Sequence, residues 1–398
     1  MKNKAALLLL ASPLLHAGTP ASPPVETAKE EPWITPLIDI RARYEFGDTD
    51  GLDPSHAFTI RERLGFRTKA IAGFSALVEG EFTQAVVDDY TSGDAGADPV
   101  TPGNTVISDP ESNELNQAYL QYAQFETTVR LGRQRIIHDN AAFIGNVGWR
   151  QNEQTFDALS VTSTWLDGLT FNYAYANRVN RIFGSDAIGT NQDVTGEIHL
   201  LNLSYTGIKG VTLGAYGYFM DFDAPDGWDN DTFGVSAKGT LGGILLYGEF
   251  AWQNEAGAAN DDDALYAHVT ATKTFGKQSV TLGVEHLGAG FQTPLATVHA
   301  FNGFADVLMG QRINGTLPGL TDVYLAHTTP IFWGVKWTNI LHAYGDNEVS
   351  TALGWEYNSL LAKKFNDNFS AIIEVAHFES ESVLPTTTRA SLGVTFTF

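Results

Sequence analysis

From Leu37 to Phe46 the chain reads LIDIRARYEF, with Ile38, Ile40, Ala42, Tyr44 and Phe46 at one parity and Asp39, Arg41, Arg43 and Glu45 at the other. A period of two places these side chains on opposite faces of a β-strand, one suited to hydrocarbon and one to water. The pattern recurs to the end of the chain. It predicts about eighteen strands, each of the length a transmembrane barrel strand needs. They fall near 37–46, 57–70, 74–85, 115–123, 127–137, 154–165, 169–178, 197–206 and 211–221 in the first half. In the second half they fall near 232–241, 244–253, 264–275, 278–288, 322–329, 334–344, 349–358, 369–378 and 388–398. The expected fold is all-β, a transmembrane antiparallel barrel between lipid and a polar lumen.

The connections support hairpins. Ile71-Ala72-Gly73, Leu166-Asp167-Gly168, Gly242-Gly243 and Gly276-Lys277 are short and carry turn residues, whereas 86–114, 138–153, 179–196 and 289–321 are long. Outer-membrane barrels show this asymmetry, with tight periplasmic turns and longer outer loops. One segment breaks the rule, since 359–368 falls on the short-turn side yet is long; Lys363 and Lys364 within it are candidates for a periplasmic constriction.

Composition narrows the class. After residue 17 no apolar run approaches the roughly 18 to 20 residues of a spanning helix, so the chain is not a helical membrane protein. Residues 1–17, with Lys2 and Lys4 before AALLLLASPLLHA, read as a secretory signal peptide, with cleavage as late as residue 21. Residues 18–36 form a Pro-rich periplasmic lead-in, and 37–398 the barrel. Without cysteine, a closed hydrogen-bonded sheet must supply the stability that disulfides give other exported proteins. The last strand ends on Phe398, like the C-terminal signature of outer-membrane barrels. The expected location is the outer membrane of a Gram-negative-type bacterium, as a monomer in contact with lipid, lipopolysaccharide and the barrel-assembly machinery, and with no nucleic-acid partner.

Charge then distinguishes the lumen. The chain carries a formal charge of −22, and its long loops are rich in aspartate. Yet pairing the first two strands with a register sum of 102 or 104 sets Arg41 and Arg43 beside Arg61 and Arg63, although like charges directly opposite destabilise a sheet. The turn at 71–73 sets Arg63 opposite Glu81, with Arg61 and Glu79 in diagonal reach of that pair. Two readings stay open: an anion path lined by guanidinium groups, or a wall built from Arg–Glu pairs. Arg67 extends the patch, and Arg130 points inward by parity, with Arg133, Arg135 and Arg150 near the outer mouth. Glu62 shares parity with Ile60 and Leu64 and is expected to face lipid unless a bulge or a rim position relieves it.

Residues 129–159, VRLGRQRIIHDNAAFIGNVGWRQNEQTFDAL, are the most specific block. With RARYEF, FSALVEGEF, ELNQAYLQY, HAFNGFADVL and GLTDVYL, this block resembles the alginate-export family of outer-membrane β-barrels. Phe304 and the intervening MGQRINGTLP depart from that family's pattern. The resemblance implies a channel that passes anionic polysaccharide through an arginine-lined pore. Carried over by residue, it implicates Arg41, Arg43, Arg61, Arg63, Arg130, Arg133, Arg135 and Arg150, with Glu79 and Glu81 diluting the positive lumen. A general or substrate-specific uptake porin, a surface adhesion barrel and a barrel enzyme are the alternatives. No GxSxG, HExxH, phosphate-loop or CxxC motif is present, so no catalytic residue, cofactor or metal is expected.

Overall fold

Eighteen antiparallel strands close on themselves. The computed structural model describes residues 32–256, 262–347 and 351–398; the signal segment 1–17, lead-in residues 18–31 and Asp261 lie outside the described residues. In chain order the strands are β1 (Ile34–Thr49), β2 (Ser55–Thr68), β3 (Phe74–Asp89), β4 (Ser112–Gln124), β5 (Thr127–Gln134) and β6 (Thr155–Ser163). They continue as β7 (Leu169–Asn180), β8 (Asp193–Tyr205), β9 (Val211–Phe222), β10 (Asn230–Leu241), β11 (Ile244–Ala256) and β12 (Asp262–Phe275). The ring ends with β13 (Gln278–Leu287), β14 (Leu320–Pro330), β15 (Lys336–Gly345), β16 (Ala352–Lys364), β17 (Phe369–Ser380) and β18 (Thr387–Thr397). Each strand pairs with its sequence neighbours, and β1 pairs with β18 to close the ring. At that seam the Phe398 amide donates to the Ile38 carbonyl at 2.8 Å, and the Ile38 amide donates back at 3.2 Å. The chain therefore seals the sheet with its final residue, leaving no open edge to unsatisfied backbone in lipid.

The parity reading holds on the outer face. Leu64, Leu131, Val269, Leu282, Leu325 and Leu341 are exposed there, as a lipid-facing belt requires. Glu62 is exposed on this face as well, between Ile40 on β1 and Phe82 on β3. The β2–β3 bulge lies at Phe58/Thr59 and does not turn Glu62 inward. A carboxylate in the apolar belt costs stability, so Glu62→Leu is expected to stabilise the barrel by about 1 kcal/mol in denaturant unfolding from lipid vesicles. Destabilisation would mean that the carboxylate has a partner on this face.

Two sequence expectations change. β16 runs on to Lys364, because LLAKK continues the ladder with β15 and β17. The connection to β17 is a tight turn over 365–368 rather than a long loop. Lys363 donates to the Trp333 carbonyl at the neighbouring turn, and Lys364 pairs with Asp367 at 3.0 Å. A tight turn at the rim supplies no long loop to fold inward as a periplasmic constriction; Lys363 shares the outward parity of Trp355 and Tyr357, and Lys364 the lumen parity of Glu356 and Asn358. The second change is that the outer half of the lumen is packed rather than polar and open. Phe143, Ile144, Phe291, Leu295 and Leu308, all from inward-folded loops, form a buried cluster with the inward Tyr216, Tyr218, Tyr266 and Phe378. This explains why β9 is apolar on both faces: Tyr216, Tyr218 and Met220 meet loop side chains where most lumen positions meet water.

Candidate functional site

The β1–β2 register has a sum of 102: Arg41 faces Arg61, Asp39 faces Arg63, and Arg43 faces Thr59. Arg63 faces Glu81 across β2–β3. The like-charged pair is therefore real, and the loop over residues 135–154, here the first plug loop, surrounds it with acceptors. Arg41 donates to Gln151 Oε1 at 2.7 Å, to the Gly148 carbonyl at 3.1 Å and to the Arg150 carbonyl. Arg43 donates to the Trp149 carbonyl at 2.6 Å and pairs with Asp109 and with Glu45, the latter at 3.0 Å. Arg61 pairs with Asp39, and Arg63 with Glu81 while reaching the Gln151 carbonyl at 3.3 Å. A guanidinium has five donors and no acceptor, so a loop presenting successive carbonyls suits it. Among the described residues Arg41 alone in this group has only neutral acceptors.

The loop's own charges complete the contact. Arg150 reaches both oxygens of Glu45 at 3.2 Å and Asp306 at 2.5 Å. Burial alone would lower its pKa, but Glu45 and Asp306 outweigh that and raise it above the ordinary arginine value. Arg135 pairs with Glu153 and, at 2.7 Å, with Glu79. Burial would raise the Glu153 carboxyl, but Arg135 and Arg63 hold it down at about 2. Asn116 and Gln117 on β4 also donate to Glu79 Oε1, at 2.9 and 3.0 Å, so three donors converge on one carboxylate oxygen.

Across the lumen a second loop, residues 288–319, meets an acidic wall. Asn302 donates to Glu285 at 2.8 Å and to Asp322 at 3.3 Å, and Arg312, on the short helix α1 (Met309–Asn314), pairs with Glu285. The Ala305 amide donates to Glu356 at 2.9 Å. Gly303 has φ of 92° and lies so close to the Glu356 carboxylate that a Cβ would overlap it, so only glycine lets the loop settle there. Carbonyls thus face the arginine wall and donors face the carboxylate wall.

The two loops clasp each other. The Gly145 amide donates to the Leu295 carbonyl at 2.9 Å, and the Thr297 amide to the Ala141 carbonyl at 3.0 Å. Trp149 stacks on His299 with centroids 4.3 Å apart and planes 2° from parallel, and Phe304 covers the other side of the imidazole at 5.2 Å. His299 lies 2.9 Å from Asp306 and 3.3 Å from Glu374 through its two nitrogens.

The remaining sequence candidates separate. Arg67 and Arg130 point into the inner half of the lumen, Arg130 donating to Gln121 at 2.8 Å over the Tyr119 ring. Arg133 shares the outward face of Leu131 and Leu159 and pairs with Asp157 at 2.7 Å, so it is turned away from the lumen. Arg43, Arg61, Arg63, Glu79, Glu81 and Arg150 are buried, and the structure brings them together with Arg135. Sequence reasoning missed Asp109, Trp149, Gln151, Glu153, His299, Asp306 and Glu374 as parts of this site. The signal was present in the two blocks WRQN and FNGFAD, which supply Trp149, Arg150, Gln151, Asn302 and Asp306.

Residues 33–172 match the family model described as alginate export, a segment that includes β1 to β6, the arginine stack and the first plug loop. A search of curated protein sequences finds no match. Among solved structures, OccK9 (OpdG) of Pseudomonas aeruginosa is 15% identical with a TM-score of 0.69, covering 92% of this chain and 98% of that one. OpdK of Pseudomonas aeruginosa, solved with vanillate, is 13% identical with a TM-score of 0.68 over 91% of this chain and 98% of its own. OccAB4 of Acinetobacter baumannii is 14% identical with a TM-score of 0.69 over 93% and 99%. At these identities the likeness is one of fold. The closed barrel, its apolar belt and the matching segment place the chain in the outer membrane and support an outer-membrane channel.

Proposed function

We propose that the barrel is a channel for carboxylated solutes, anionic sugars and their chains among them, with the two plug loops as its constriction. The observation that carries this is Arg41, placed opposite Arg61 and hydrogen-bonded, among the described residues, only by neutral acceptors. Two such cations in register are unfavourable; Arg61 has Asp39, but the amide and carbonyl acceptors around Arg41 compensate its charge only in part. A carboxylate accepts the same donors with charge assistance. Below the plug, Arg67, Arg130, Lys238 and Lys336 face the lumen without an ion-pair partner among the described residues. That makes the inner half positive in a chain of −22, and low-dielectric walls focus such a field on a solute. OpdK, of the same fold, has been solved with vanillate, itself a carboxylate.

Reversal potential under a salt gradient tests this. Anion preference is expected, and Arg41→Gln with Arg61→Gln should move the reversal potential toward zero. Cation preference in the wild type would sink the reading. The packed outer lumen favours a second reading, a barrel whose Arg–Glu network builds a wall and which serves at the cell surface; absence of any channel activity in bilayers would favour it.

A further inference from the structure

Opposite the arginines the lumen wall has a different chemistry. β11 is nine strands from β2 in a ring of eighteen. One row of the sheet runs Lys238, Tyr247, Thr270, Gly283, Tyr324 and His342, each residue the direct register partner of the next. All belong to the lumen parity. The Tyr324 ring lies flat over Gly283, where any Cβ would overlap it. A glycine here therefore lets the ring lie along the wall and present its face to the lumen.

His268 links the two tyrosines. Its Nε2 lies 2.8 Å from the Tyr324 hydroxyl, and its ring sits 5.7 Å from Tyr247 and 6.1 Å from Tyr324. The Tyr247 hydroxyl donates to Glu249 at 2.7 Å. Both tyrosine rings stay half-exposed, below the cluster of loop side chains that covers Tyr216 and Tyr266. His268 Nδ1 is buried without a hydrogen-bond partner. The strip is thus an aromatic surface about three strand spacings wide, roughly 14 Å, with the Thr270 hydroxyl and the Lys238 ammonium along it.

We propose that this strip binds the ring face of a pyranose. Axial C–H groups of a sugar stack on tyrosine faces, while its hydroxyls need nearby acceptors and donors, which the half-buried Thr270 and Lys238 beside the rings offer; Glu249 and His268 are buried behind the strip and hold the tyrosine hydroxyls. Aromatic walls with a few placed polar groups are the usual chemistry of small-molecule sites. The inference deepens the channel reading above, assigning the sugar ring to one wall as that reading assigns the carboxylate to the other. Its rings are uncharged, so it is tested separately.

The test is saturation-transfer NMR on the detergent-solubilised barrel with a neutral linear gluco-oligosaccharide, and with polyethylene glycol of matched size as the comparison. Transfer to sugar ring protons, and little to the polymer, is expected. Tyr247→Leu with Tyr324→Leu should weaken it about tenfold, and Tyr324→Phe should retain it. Equal transfer to the polymer, no transfer in the wild type, or an unchanged signal in a folded double variant would overturn the assignment. The Phe variant guards against loss through misfolding, since it keeps the ring over Gly283. Reversal potential should be the same in the tyrosine variants, so the sugar platform and the anion preference stand or fall independently.

Discussion

Replacing Arg150 with alanine is expected to raise single-channel conductance severalfold while the barrel stays folded. Arg150 is buried and joins three parts: its own loop, Glu45 on β1, and Asp306 in the second loop. Removing one partner of a buried ion pair costs about 3 to 5 kcal/mol, because the remaining carboxylates stay in a dry site. Glu45 keeps Arg43 at 3.0 Å and Arg389 at 3.1 Å, and Asp306 keeps His299 at 2.9 Å, so the lower end applies. A loss of about 3 kcal/mol shifts a docked–undocked equilibrium by roughly a hundredfold. The eighteen-stranded ladder does not depend on that contact, so resistance to denaturant should change little. Phe143→Ala provides an independent route to the same state. Its ring packs against Tyr216 at 5.2 Å and Tyr266 at 5.1 Å, and its loss costs about 3 to 5 kcal/mol in a packed cluster. If both variants kept wild-type conductance, the loops would not be the constriction.

The strands were legible because their physics is local. A side chain on a strand answers to parity alone, and lipid on one side makes that answer strict at Ile38, Ile40, Leu64 and Leu131. Of the two register sums open at β1–β2, the structure adopts 102, which pairs Asp39 with Arg63 as well as Arg41 with Arg61. The end of β16 was misjudged because LLAKKFNDN contains polar residues that a turn and a strand end share. Loop length points to inward folding over 289–321, but not to the partners the plug side chains find. Arg43 finds Trp149 and Asp109 far along the chain, and His299 finds Trp149, through loops that have no period to read. Arg133 shows the same limit: near a strand end, parity gave no decision, and the fold turns the side chain outward to Asp157.

Alkaline pH is expected to open the same constriction, with conductance lowest between about pH 4.5 and 6.5 and rising toward pH 10. In the docked state burial would lower the His299 pKa, but Asp306 and Glu374 outweigh it and raise it from 6.5 to about 9. The groups around it are Asp306 and Arg150 from the loops, Glu45 from β1, Glu374 from β17 and Arg389 from β18. With its pKa raised on docking, the imidazolium contributes fully below the free-loop value of 6.5 and loses its contribution as pH rises through about 9. A shift of this size is worth on the order of 3 kcal/mol. Glu153 acts in the opposite sense: with its pKa lowered from 4.5 to about 2, its contribution is complete above 4.5 and disappears as pH falls through 2. The docked loops are therefore held most firmly between the two free-loop values. His299→Gln should conduct more than the wild type at pH 6 and lose the alkaline rise, because the imidazolium between Asp306 and Glu374 is then gone. An alkaline rise that persists in this variant would assign the titration to the lysines of the inner lumen and remove His299 from the constriction.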